Sequence, residues 1–99
     1  MKHRKLLRAV SPKLYSLITT ELEKRFNVQP YDIQAEAKVK DRGIVAIVRY
    51  GEQFNQQKEQ FFPSDAIRKD SQVLLQFVQE TGEACQERMI KDYYRMMAP

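Results

Sequence analysis

Cysteine, histidine, glycine and long apolar runs are all scarce in this 99-residue chain, and each scarcity removes a class of function. A single cysteine, Cys85, cannot form an internal disulfide framework or supply a zinc site that needs two or more thiolates. It points to a reducing compartment, and the expected location is cytoplasmic. The only histidine, His3, lies in the N-terminal arm, and Cys85 falls on the apolar stripe of a helix with no flanking histidine, where a cysteine is more often a small buried hydrophobe than a thiolate. The three glycines, at 43, 51 and 82, are too far apart for a dinucleotide fingerprint or a phosphate loop. The longest apolar run is Ile44 to Val48, against the roughly 20 residues a membrane-spanning helix needs. Lys2, Arg4, Lys5 and Arg8 are not followed by the apolar stretch of a signal peptide. The sequence therefore leads us to expect no catalytic residues, no metal, no cofactor and no membrane attachment.

Apolar residues make up 42% and charged residues 30%, an ordinary balance for a chain that folds around one core. A core of this size is modest, and a second subunit is a common way to cover what it leaves exposed. The net charge of +4 is unevenly spread. Residues 1–13 hold Lys2, Arg4, Lys5, Arg8 and Lys13 with no acid, so they carry +5 and leave the rest at −1. The expected organisation is a basic N-terminal arm over residues 1–10 and a single α+β domain over residues 11–99.

Ser11 and Pro12 are a helix-start signal, because the serine hydroxyl can accept an orphan N–H and proline's fixed φ suits the first helical position. The spacing of Leu14, Ile18, Leu22 and Phe26 predicts a helix over 12–26, with Glu21, Glu23 and Lys24 facing water and Asn27 ending it. From Ile33 the period changes to two. Ile33, Ala35, Ala37 and Val39 alternate with polar residues, and Asp41-Arg42-Gly43 supplies a turn into a second strand, Ile44 to Tyr50. Gln56 to Phe62 reads as a third strand, giving a three-stranded antiparallel meander. A turn of helix is expected at 65–69, then a helix from Gln72, capped by Asp70 or Ser71, with Leu74, Val78, Cys85, Met89, Tyr93 and Met97 along one side. Gly82 is the place where it would bend or break. The expected fold is thus α+β: an N-terminal helix, the meander, and one long or two shorter C-terminal helices packed on one sheet face.

Unbroken, a helix over 72–97 is roughly 39 Å long, against roughly 23 Å for a seven-residue strand. It would outrun the sheet and project Tyr93, Tyr94, Met96 and Met97, residue types suited to partner surfaces. Kinked at Gly82, it would fold back and bury them.

Acidic residues offer two further readings. Glu80, Glu83 and Glu87 share a helix face, where i,i+4 pairing of Glu87 with Lys91 and Arg88 with Asp92 fits a solvated surface. Asp32, Glu36 and Lys38 point the same way along the first strand, and Glu36-Ala37-Lys38 resembles the acid-x-Lys element of metal-dependent restriction-type nucleases. That resemblance implies a divalent ion held by two acids, although Asp32 here is only four residues from Glu36. The stretch Arg42-Gly43-Ile44-Val45-Ala46-Ile47-Val48 resembles the start of the RNA-recognition consensus, with Ile44 and Ala46 standing where stacking aromatics belong.

The sequence supports first a small non-enzymatic protein-binding or regulatory module of unknown ligand, acting as a homodimer. The alternative is a nucleic-acid-binding protein using the arm and hairpin through Lys2, Arg4, Lys5, Arg8, Lys38, Lys40, Arg42 and Arg49. A metal-dependent nuclease is the remote third reading.

Overall fold

The computed structural model describes residues 4–97, with side chains as far as Tyr94. Lys2 and His3, and the side chains of Met96 and Met97, lie outside the described residues. The element order is β1 (Lys5–Leu6), α1 (Leu7–Val10), α2 (Pro12–Phe26), β2 (Gln34–Lys40), β3 (Gly43–Tyr50), β4 (Gln56–Pro63) and α3 (Gln72–Met97). The architecture is α+β, with one antiparallel sheet in the order β1-β2-β3-β4.

Ser11 joins two helices. Its amide donates to the Leu7 carbonyl at 2.8 Å, and its hydroxyl accepts from the Leu14 N–H at 3.2 Å. Pro12 then occupies the first position of α2, and Asn27 ends that helix in a left-handed conformation at φ 56°. At the start of α3 the Ser71 hydroxyl does the same work, accepting from the Leu74 N–H at 3.3 Å. Each cap satisfies one of the backbone donors that a helix start leaves unpaired.

The expected meander has a fourth strand. Lys5 and Leu6 pair with Ala37 and Glu36 of β2, and the next residue, Leu7, is fully buried. From Lys5 onward the basic N-terminal segment is therefore part of the sheet and core. Two residues carry no readable alternation, so the arm's charge masks the strand.

Pairing of Ala35 with Val48 and Ala37 with Ala46 puts small residues on the helix-facing side of β2 and β3. That leaves room for Leu14, Ile18 and Leu22 of α2 and Leu74, Phe77 and Val78 of α3 to enter one core. Phe62 of β4 meets Phe77 edge to face at 5.6 Å. Full burial of each such side chain contributes about 1.5–3 kcal/mol. Both main helices pack on this face, as expected, and the other face stays open.

Glu21 departs from the expectation that it faces water. It is buried, and Arg25 one turn later donates to its carboxylate at 2.6 Å. The β3–β4 connection also holds a surprise, since Gly51, Gln53 and Phe54 all have positive φ. Each non-glycine residue there costs about 1–2 kcal/mol.

Helix α3 runs unbroken through Gly82. A β-carbon at that position would overlap the ring of Phe26, so the glycine serves a close approach of α3 to the end of α2. Gln86 seals the same junction by donating to the Phe26 carbonyl at 2.8 Å.

Candidate functional site

Where α2 stops, α3 continues. The last fully packed residue of α3 is Cys85, and beyond it Met89 is 41%, Ile90 56%, Tyr93 59% and Tyr94 67% exposed. The two tyrosine rings meet edge to face at 5.8 Å. Of the expected partner-binding residues, Tyr93 and Tyr94 are thus brought together on a projecting helix end, which the kinked alternative would have buried. The molecule's longest dimension, 50 Å, fits a helix that overhangs its sheet.

Helix geometry explains why these apolar residues leave the core. Each i,i+4 step advances about 40° around the axis, so Met89 and Tyr93 rotate progressively away from the face that Cys85 occupies. The buried stripe instead alternates steps, through Leu74, Phe77, Val78, Thr81 and Cys85, and then reaches Arg88 and Asp92. Those two form an ion pair at 3.2 Å and are only partly exposed. A polar pair therefore ends the core side of α3, while Met89, Ile90 and Tyr93 continue the side that meets Phe26 at Gly82 and Gln86. Simple four-residue spacing missed Ile90 as a leading site residue; counting angle at 100° per residue finds it.

Around the base of this overhang the chemistry is quiet. Burial pushes the Cys85 thiol up to about 12, with the Asp32 carboxylate adding to the effect. Burial also raises the Tyr50 phenol above its ordinary value of 10.0, with Cys85 and Glu87 reinforcing the shift and Arg88 opposing it. A shallow groove of about 300 Å³ lies beside them, lined in part by Tyr50, Lys58, Glu87, Arg88 and Lys91. Glu87 is taken up by Lys91 at 3.1 Å, as the i,i+4 spacing anticipates.

The acid-x-Lys element is not assembled as expected. Asp32 lies in a 3-10 turn before β2, where its carboxylate accepts the Gln29 N–H at 2.9 Å. Glu36 accepts from Arg4 at 3.4 Å and Arg49 at 3.0 Å through the same oxygen. The two carboxylates thus serve a turn and an ion-pair cluster. Among the described residues, no group of three His, Cys, Asp or Glu is placed to hold a metal ion.

The basic candidates divide between surfaces. Arg4, Lys38, Lys40 and Arg49 share the open face of the sheet, with Arg42 at the tip of the β2–β3 hairpin. Lys5 lies at the β1 edge, and Arg8 lines a groove of about 430 Å³ beside Tyr15 and Ile33. Ile44 and Ala46, the positions of the RNA-recognition resemblance, face the helices. No helix among the described residues is long and apolar enough to cross a membrane. The chain has no significant match among protein-family models, curated proteins or solved structures.

Proposed function

We propose that this chain is a small, non-enzymatic module that works through protein contacts and forms a homodimer through the overhanging end of α3. The observation that carries the reading is the exposure of Met89, Ile90 and Tyr93 on a helix side that α2 covers one turn earlier, with the exposed Tyr94 ring against Tyr93. An interface already built within the chain is thereby left half-length, and a second copy's α3 supplies a helix of the same character to extend it. Methionine and tyrosine suit such a surface because one adapts its shape and the other offers large area at low entropic cost. The buried, unpaired Cys85 supports a reducing, cytoplasmic setting.

Light scattering after gel filtration tests the reading. The wild-type chain should elute with dimer mass. A variant with Tyr93, Tyr94, Met96 and Met97 replaced by serine should be monomeric, with its thermal unfolding still cooperative. A wild-type chain that is monomeric at every accessible concentration overturns the homodimer.

A further inference from the structure

All helices that enter the core pack on one face of the sheet, so the other face has to be accounted for separately. Its floor is apolar: Val45 and Ile47 lie at its centre, and Ile47 is fully buried although it belongs to no part of the main core. Flanking side chains from its own face must fold over it. Leu6 and Phe61 stand beside this floor, 52% and 38% exposed.

The charge on this face is arranged unlike that on the helix side. There, Arg25 pairs with Glu21, Arg88 with Asp92 and Lys91 with Glu87. On the open face two acids, Glu36 and Glu59, stand among Arg4, Lys38, Lys40 and Arg49, and one oxygen of Glu36 holds both Arg4 and Arg49, so cations outnumber acids there. The clamp orients both guanidinium groups and leaves part of each donor fork unspent. Toward the hairpin tip, Lys38, Lys40 and Arg42 make no ion pair with any described residue.

Phe61 completes the pattern. The register places Lys38, Val45 and Phe61 in one cross-strand row, so the Phe61 and Lys38 backbones stand roughly 10 Å apart. The Phe61 ring also lies against Gly43, where no neighbouring side chain intervenes. A partly exposed aromatic ring with unpaired cations two strands away and at the hairpin tip matches a polymer that alternates flat bases with phosphates. An acidic peptide would use the cations and leave Phe61 idle.

From this juxtaposition we infer that the open face of the sheet binds single-stranded nucleic acid, with Lys38, Lys40 and Arg42 on phosphates and Phe61 stacked on a base. The Arg4–Glu36–Arg49 clamp extends the track for the backbone across the sheet. This surface is separate from the end of α3, and neither proposal depends on the other.

Fluorescence anisotropy with a labelled oligouridine of roughly 12 nucleotides tests it. With about four phosphates engaged, affinity should fall about 50-fold between 50 and 200 mM salt. Phe61→Leu should weaken binding about tenfold through the lost stack. The Lys38→Gln/Lys40→Gln double variant should weaken it further and lower the salt slope by about 1.4. The Tyr93→Ser variant should bind as the wild type does, which separates this result from the dimer. Absence of binding at about 50 mM salt overturns the inference. So does wild-type affinity in the Phe61 and lysine variants, or equal binding to polyglutamate, which would show attraction by charge alone.

Discussion

Replacing Gly82 with alanine pits two known effects against each other. In an ordinary helix interior the change stabilises by about 1 kcal/mol, because glycine loses more backbone freedom on folding. Here the added methyl would fall on the Phe26 ring, overlapping three of its carbons, while the Phe26 carbonyl is tied to Gln86. Overpacking of this kind costs about 1–3 kcal/mol, so the net effect should be a loss of up to about 2 kcal/mol. For a chain of this size that lowers the melting temperature by up to roughly 10 °C. Urea unfolding of four proteins measures it: the wild type, Gly82→Ala, Phe26→Leu and the double variant. Once Phe26 is trimmed, Gly82→Ala should turn stabilising by about 1 kcal/mol, so the cycle carries a large coupling. If Gly82→Ala stabilises the otherwise wild-type protein, α3 does not approach α2 as closely as described.

Two further outcomes follow from the buried side of the same helix. The Thr81 hydroxyl is buried with no hydrogen-bond partner among the described residues, so Thr81→Val, which keeps the shape, should raise stability by about 1 kcal/mol in the same urea assay. Cys85 should react with a thiol reagent only after unfolding. Because its folded-state value lies above the ordinary 9.0, its contribution is complete below pH 9 and is lost as pH rises toward 12, where the unfolded chain ionises first. Stability followed by circular dichroism should fall across that window, and less steeply in Cys85→Val.

The parts of the fold legible in the sequence are those with local physical signatures. Ser11-Pro12 and Asn27 mark the ends of α2 because caps act within a few residues. Period-two alternation places β2 and β3, and Ser71 starts α3. β1 was not legible, since Lys5 and Leu6 become a strand only because Glu36 and Ala37 offer an edge. Glu21 was misread for a related reason: burial depends on what packs beside it, and Arg25 makes that burial tolerable. At the candidate site, the projecting tyrosines followed from comparing helix length with strand length. Whether they projected depended on Gly82, whose role becomes visible only when Phe26 is seen against it. Asp32 lay within four residues of Glu36 in sequence, yet the turn at Pro30 redirected its carboxylate to Gln29.

Hydrogen exchange at the backbone amides of residues 89–94, followed as the protein is concentrated, tests whether the end of α3 is an interface between copies. A free overhang exchanges quickly because few side chains hold its turns together, and pairing with a second copy should slow it. Protection at these amides should rise with concentration, stay constant at Leu74 to Cys85, and disappear in the Tyr93→Ser/Tyr94→Ser variant. Protection at 89–94 that is independent of concentration, or that survives those substitutions, would contradict it.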